Sequence, residues 1–194
     1  KRCKGRPCNE VYALQCDRLA EPEHLSQNGL IDLCYGDEAH FCSEGYVPYG
    51  WQFPGEDVYV PSEKGFRPDV FGLVARDNRP VWATTQKPIN SVFVMGQLEA
   101  LSFKVTEPTV VVLDNASVHR AKCIKERIPF WEQRGLYIFY LPTCSPELNI
   151  AETLWRKMKK EQIDPQDYGT HDSLAYAVNR CLAGVPITKS THSW

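Results

Sequence analysis

The sequence predicts an α/β protein with a mixed five-stranded sheet, in which an antiparallel meander precedes parallel strands and helices flank the sheet. Two observations predict this class. The segment 41–86 is rich in aromatic, β-branched, Pro and Gly residues with closely spaced turn signals, which is typical of a meander. From residue 110 onward, continuous apolar runs alternate with longer segments of helical pattern, which is typical of buried parallel strands and their connecting helices.

The N-terminal part of the chain predicts a helix followed by a strand. The helix is predicted over 9–27, where apolar residues recur at helical spacing, and the apolar run 30–35 predicts the strand. Asp37 and Glu38 come directly after this run. We therefore expect a strand that presents carboxylates where it ends.

The rest of the chain divides into short strands and helices. A helix is predicted over 89–101, with Val92 and Leu98 among its periodic apolar positions. A second helix is predicted over 117–127 and is expected to be interrupted at Pro129. The remaining predicted elements are strands at 70–74, 81–84 and 110–113, a buried strand at 136–141, a loop at 142–149, and helices at 150–162 and 170–182.

Composition places the chain among ordinary globular proteins. It has 194 residues, a formal net charge of −2 and 43% hydrophobic residues, which suits one domain with a real core. No apolar run is long enough for a membrane span or a signal peptide, so we expect a soluble, cytoplasmic protein. Eight cysteines without a C-x-x-C pair predict free, mostly buried thiols. Taken alone, the near-neutral charge argues against a protein that coats nucleic acid.

Two aspartates follow predicted buried strands, and this placement suggests chemistry. Asp37 follows the run 30–35, and Asp114 follows the run 110–113. The ends of adjacent strands in an open α/β sheet are where ligands bind, so these carboxylates are expected to lie close together. Their repulsion would raise a pKa or favour a hard cation such as Mg²⁺ or Mn²⁺. The alternative is that each aspartate only caps the turn or helix that follows it.

A third carboxylate, Glu152, lies at the edge of a buried helix face. At about 100° per residue, the apolar positions of the helix 150–162 form one arc and Glu152 falls just outside it, beside Arg156 and Lys159. A carboxylate bordered by cations suits a metal site over a phosphate backbone. A surface ion pair between Glu152 and Arg156 explains the pattern equally well.

Three sequence blocks resemble the motif blocks of DDE transposases, specifically the mariner-like bacterial insertion-sequence branch. They read YGDEAHF at 35–41, LDNASVH at 113–119 and LPTCSPELNIAETLW at 141–155, in the family's order. Between Asp114 and Glu152 lie 37 residues, slightly more than is usual for that superfamily. The resemblance covers about residues 30–160 and implies a ribonuclease H-like fold. Ile150 and Cys144 depart from the family's pattern, and neither is a carboxylate.

The resemblance implies that Asp37, Asp114 and Glu152 are the catalytic triad and the ligands of two Mg²⁺ or Mn²⁺ ions. Glu38, Asn115 and Asn149 are expected near this site. Basic residues beside the proposed ligands are candidates for contacts to the DNA backbone, and His119 either contacts phosphate or only packs. The DNA-binding candidates are His119, Arg120, Lys122, Arg156, Lys159 and Lys160.

The implied activity is metal-dependent cleavage of double-stranded DNA at transposon ends followed by strand transfer into target DNA, by a homodimer in a bacterial cytoplasm. Two alternatives stay open: a ribonuclease H-like nuclease or resolvase without transposition, and a domesticated, non-catalytic DNA-binding remnant. We expect residues 1–29 to be a basic linker and helix, residues 30–194 to be the catalytic domain, and the family's N-terminal helix-turn-helix modules to be absent. The near-zero net charge would then be the sum of an acidic metal-binding centre and a basic DNA-binding groove, whose charges cancel.

Overall fold

One mixed sheet forms the centre of the protein in the computed structural model, which describes residues 9–42, 55, 68–76, 80–143 and 145–184. The strands are β1 (Asp32–His40), β2 (Asp69–Ala75), β3 (Pro80–Thr85), β4 (Thr109–Leu113) and β5 (Leu136–Tyr140). Their order is β3-β2-β1-β4-β5, with antiparallel pairing among the first three strands of the chain and parallel pairing of β4 with β1 and β5. This architecture confirms the predicted fold class.

Helices cover both faces of the sheet. They are α1 (Asn9–Gln27), α2 (Ser91–Ser102), α3 (Lys122–Glu132), α4 (Ile150–Lys157) and α5 (His171–Ala183). Successive side chains of a strand point to opposite faces. In β4, Val112 packs with residues of α1, α4 and α5, whereas Val111 and Leu113 pack with residues of α2 and α3. We call these two sides the α4 face and the α2 face. Burial on both faces explains the continuous apolar run of β4.

Strand β1 is longer than predicted, and the prediction that Asp37 and Glu38 follow its end is wrong. The parallel pairing of β1 with β4 ends at Gly36 and Leu113, but the antiparallel pairing with β2 continues to His40. The antiparallel partner therefore extends the strand through both carboxylates. Because side chains alternate, Asp37 belongs to the α4 face and Glu38 to the α2 face.

Helix α3 begins later and ends later than predicted. Residues 117–120 form a turn in which the Ala116 carbonyl accepts hydrogen bonds from the backbone N–H of His119 and of Arg120. The helix then continues through Pro129, where we expected an interruption. Ile124 and Trp131, on either side of Pro129 in sequence, have no exposed surface. Their burial offsets the hydrogen bond that Pro129 cannot make.

Three further expectations need correction. In α2 the buried residues include Val94 and Leu98, whereas Val92 is 62% exposed. Strand β5 is not buried on both faces, because it lies at the edge of the sheet and leaves Tyr137 exposed. The predicted helix 150–162 is α-helical to Lys157 and continues as a π-helical segment (Met158–Gln162).

The predicted loop 142–149 and the segment before α5 contain two short 3₁₀ helices, Pro146–Leu148 and Pro165–Gly169. Five cysteines of the described residues are free thiols, and of these only Cys181 is buried, so the expectation of mostly buried thiols is wrong for this part of the chain. Within the same residues, no helix is long and apolar enough to cross a membrane. The basic residues 1–6, most of the meander between 43 and 67, and Cys144 lie outside the described residues.

Candidate active site

Asp37 and Asp114 are neighbours at the end of the parallel pairing between β1 and β4. Gly36 pairs with Leu113, and each aspartate is the next residue along its chain. Burial and the nearby carboxylates of Glu38, Asp114 and Glu152 together raise the pKa of Asp37 to about 7, against one backbone hydrogen bond that lowers it. The structure therefore brings these acidic groups close enough to repel one another.

Helix α4 brings Glu152 to the same place. Its N-cap is Asn149, whose side-chain oxygen accepts a hydrogen bond from the backbone N–H of Ala151 at 3.1 Å. The Asn149 side-chain amide also donates to the carbonyl of Gly36 at 3.3 Å, one residue before Asp37. The first turn of α4 is thus tied directly to β1.

Gly72 and Trp155 set how closely α4 packs on the sheet. Gly72 pairs with Asp37 in the β1–β2 ladder. A Cβ atom at Gly72 would lie only 2.5 Å from the Trp155 ring, so the indole occupies the space that a side chain at residue 72 would need. Because Trp155 is one helical turn after Glu152, this contact brings the turn that carries Glu152 toward Asp37, and both carboxylates line the same cleft.

A cleft of about 470 Å³ opens where these groups meet. Its lining residues are Asp37, Glu38, Glu152, Trp155, Arg156, Lys159 and Lys160. Asp114 is not part of this lining, although its side chain is 47% exposed. The cleft therefore joins acidic residues of β1 and α4 to the basic residues of α4 and its π-helical extension.

His119 is buried beside the carboxylates of Asp114 and Glu38, on the α2 face. Its Nδ1 lies 2.7 Å from Oδ1 of Asp114, and its Nε2 lies 3.1 Å from Oε1 of Glu38. The second contact is at ion-pair distance but is not aligned as a hydrogen bond. Because His119 has no exposed surface, the DNA contact considered for it is corrected: its ring binds carboxylates inside the protein.

The pKa values of this group follow from these contacts. Burial lowers the pKa of His119, but the hydrogen bond with Asp114 and the proximity of Glu38 outweigh burial and raise it to about 10. Burial likewise acts to raise the pKa of Asp114, but hydrogen bonds from His119 and from the backbone N–H of Ala116 keep it below its usual value. An imidazolium between two carboxylates balances part of their charge.

The remaining DNA-binding candidates fall into two groups. Arg156, Lys159 and Lys160 line the cleft. Arg120 and Lys122 do not line it: Arg120 donates to Asn115 and lies 4.8 Å above the Tyr140 ring, and Lys122 is 3.6 Å from Glu126.

Asn115 connects the segment after β4 to the end of β5. Its side-chain amide donates to the carbonyl of Leu141, while its side-chain oxygen accepts from Arg120. Two contributions were not visible in the sequence. Gly72 pairs with Asp37 and leaves space for the Trp155 ring, and Tyr140 donates a hydrogen bond to the His119 carbonyl at 2.9 Å. Both depend on residues distant in the chain, so no local pattern could indicate them.

The donor chemistry of the site fits a hard divalent cation. Carboxylate oxygens are the ligands that Mg²⁺ and Mn²⁺ prefer, and a cation would relieve the repulsion that raises the pKa of Asp37. In the described part of the chain, however, no three His, Cys, Asp or Glu side chains are spaced to hold one metal ion together. Binding of one metal ion by Asp37, Asp114 and Glu152 together therefore requires these side chains to move closer to one another.

The sheet order and the convergent carboxylates define a protein with a ribonuclease H-like fold. A family model described as DDE superfamily endonuclease matches residues 32–175, and the chain belongs to this family. No curated protein matches the sequence.

Solved structures with the same fold include the Mos1 mariner transposase. Its paired-end complex with Mg matches with a TM-score of 0.68 and 14% identity, over 96% of this chain and 58% of that chain. Its paired-end complex with Mn matches with a TM-score of 0.67 and 16% identity, over 89% and 54%. The Mos1 catalytic domain matches with a TM-score of 0.61 and 11% identity, over 96% and 87%. The chain thus spans little more than half of Mos1 in these DNA complexes, and identities this low establish the fold alone.

Proposed function

We propose that this chain is the catalytic domain of a transposase of the mariner-like bacterial insertion-sequence branch, which cleaves DNA at transposon ends and carries out strand transfer. The observation that carries the proposal is that Asp37 and Asp114 directly follow the last paired residues of β1 and β4, while Glu152 of α4 lines the same cleft as Asp37. Membership of the DDE superfamily endonucleases and the likeness to Mos1 in fold support it.

In this proposal Asp37, Asp114 and Glu152 hold two Mg²⁺ or Mn²⁺ ions. Such ions activate a water or a DNA 3′-hydroxyl and stabilise the leaving oxygen in an in-line displacement at phosphorus. The three carboxylates would supply the oxygen ligands for these ions. Side chains of hydroxyl and thiol residues have no covalent role in this chemistry.

The basic part of the cleft binds the DNA backbone in this proposal. Arg156, Lys159 and Lys160 border Glu152, so a duplex held by these cations has its phosphates against the carboxylates. We further propose that the active form is a homodimer on paired DNA ends and that the catalytic unit comprises residues 30–194, as in the sequence-based expectation.

The test is incubation of purified protein with duplexes that carry candidate transposon ends, in Mg²⁺ or Mn²⁺. We expect nicks at the ends, and we expect Asp114→Ala to abolish them. Glu132→Gln, an exposed carboxylate at the end of α3, is the matched control and retains cleavage. Undiminished nicking by Asp114→Ala would contradict the assignment.

The same assay separates the two alternatives. Cleavage of RNA–DNA hybrids or branched DNA without dependence on end sequence indicates a nuclease or resolvase. A folded protein that binds duplex DNA but shows no metal-dependent cleavage of any substrate indicates the non-catalytic alternative.

A further inference from the structure

The buried ring of His119 lies next to the proposed metal ligands without being one of them. It has no exposed surface and contacts Asp114 through Nδ1 and Glu38 through Nε2. Glu38 follows Asp37 in β1 and also borders the cleft, whereas His119 is not among the residues that line it. A side chain in this position can act on the reaction only through the residues that it holds.

Two hydrogen bonds fix the backbone of His119, and one aromatic neighbour lies beside its ring. The Tyr140 hydroxyl donates to the His119 carbonyl at 2.9 Å, and the His119 backbone N–H donates to the Ala116 carbonyl at 3.1 Å. The ring of Phe71 lies 6.3 Å from the imidazole, centroid to centroid. Phe71 pairs with Glu38 in the β1–β2 ladder, so the imidazole lies beside both partners of one cross-strand pair.

Asp114 needs such a partner because it lies beyond the end of β4. Its side chain is 47% exposed, and the sheet no longer restrains it. Two donors fix it: the backbone N–H of Ala116 at 2.8 Å and Nδ1 of His119 at 2.7 Å. Both donors bind Oδ1, which orients the carboxylate and leaves Oδ2 for a ligand.

We infer that His119 is a positioning residue that orients the Asp114 carboxylate for a divalent cation through its Nδ1–H. This inference rests on the proposed function. A carboxylate fixed by a neighbouring donor binds metal more tightly than one that rotates freely, and losing such an outer partner typically costs about 10–100-fold in metal affinity or activity.

Two substitutions distinguish the contact made by Nδ1 of His119 from the contact made by its Nε2. His119→Asn places an amide near the former Nδ1 and keeps a donor for Asp114. His119→Gln places its amide near the former Nε2, keeping the contact with Glu38 and losing the one with Asp114. The first measurement is Mn²⁺ binding by calorimetry to the intact chain, with folding checked by circular dichroism.

We expect His119→Gln to weaken Mn²⁺ binding by about 10–100-fold and to lower kcat for nicking while KM for DNA stays unchanged. His119→Asn is expected to retain most of the Mn²⁺ affinity. Wild-type affinity in the Gln variant, or an equal loss in both variants, would overturn the role of Nδ1. Failure of the proposed function is a different result: Asp114→Ala would then keep both Mn²⁺ binding and nicking.

A measurement on the wild-type chain tests the positioning role of His119 even if His119→Gln does not fold. Mg²⁺ is added while the side-chain ¹⁵N signals of the histidines are recorded. We expect the His119 ring signals to shift as the site fills, and those of His171, on the distant α5, to stay in place. Unmoved His119 signals at Mg²⁺ saturation would overturn the inference.

Discussion

The side chain of Asn149 joins helix α4 to strand β1: its oxygen caps the helix at Ala151, and its amide donates to the Gly36 carbonyl at 3.3 Å. Asn149 is 4% exposed, so both hydrogen bonds are shielded from water. Glu152 lies on the first turn of α4, and Asp37 follows Gly36. One side chain therefore fixes the spacing between two proposed metal ligands.

We expect Asn149→Ala to lower the free energy of unfolding by about 0.5–2 kcal/mol through loss of the cap. It should also lower kcat, because Glu152 is no longer held relative to Asp37. Asn149→Ser is the matched variant, since it keeps a capping oxygen but is too short to reach Gly36. Urea unfolding should show partial recovery of stability in the Ser variant while kcat stays low. Full recovery of kcat would show that the link to Gly36 is unimportant.

Gly72 is predicted to be intolerant of a side chain. A methyl group there would lie 2.5 Å from the Trp155 ring, so Gly72→Ala forces α4 away from the sheet. We expect a loss of about 1–3 kcal/mol in the free energy of unfolding, as is usual for overpacking, and a fall in nicking rate.

Gly96→Ala is the control for this prediction. Gly96 lies within α2, and a Cβ atom there meets nothing within 4 Å. Helix propensity alone should make this variant more stable, by up to about 1 kcal/mol. Equal stability changes in the two variants, measured by urea unfolding, would contradict the packing role given to Gly72.

Glu99 is predicted to make stability depend on pH in the acid range. Its carboxylate accepts hydrogen bonds from Arg127 at 2.6 Å, Arg134 at 2.8 Å and Nε1 of Trp131 at 2.8 Å. The arginine contacts come first among the causes that lower its pKa to about 2. A pKa that is lowered in the folded state stabilises the protein above the ordinary pKa of 4.5, and that contribution is lost as pH falls toward 2.

Glu99→Gln should therefore lose stability near neutral pH and approach the wild type as pH falls from about 4.5 toward 2. The effect is partly screened, because the Glu99 side chain is 24% exposed. Glu107→Gln, on the exposed segment before β4, is the control and should follow the wild type at every pH. A difference between Glu99→Gln and wild type that does not narrow with acid would contradict this role.

Arg156 and Lys122 should differ in their effect on DNA binding. Arg156 lines the cleft, whereas Lys122 lies outside it with a side chain that is 90% exposed. We expect Arg156→Gln to weaken duplex binding and to reduce the slope of log K against log salt by about 1, which corresponds to one lost phosphate contact. Lys122→Gln should leave the slope unchanged. Fluorescence anisotropy across a salt series measures both, and equal slopes for the two variants would contradict the placement of DNA in the cleft.

The sequence predicts a strand reliably where both faces of that strand are buried. The run 110–113 is apolar throughout because helices cover both faces of β4, and Asp114 follows it as predicted. The position of Asp37 was harder to predict. Its strand continues only because β2 pairs with it up to His40, and a pairing partner more than 25 residues away leaves no local pattern.

The sequence by itself determined the fold class and the helix that carries Glu152, because apolar periodicity and capping residues act over a few neighbouring positions. The choice of Asp37, Asp114 and Glu152 as a set came from the resemblance of three sequence blocks to DDE transposases. Only the tertiary structure decided that Asp37 and Glu38 point to opposite faces of the sheet and that His119 is buried between Glu38 and Asp114. It also decided that the missing side chain of Gly72 leaves space for the Trp155 ring. These relationships depend on strand register and on contacts between distant segments. Register is set by the packing of the whole sheet, so it exists only once the chain has folded.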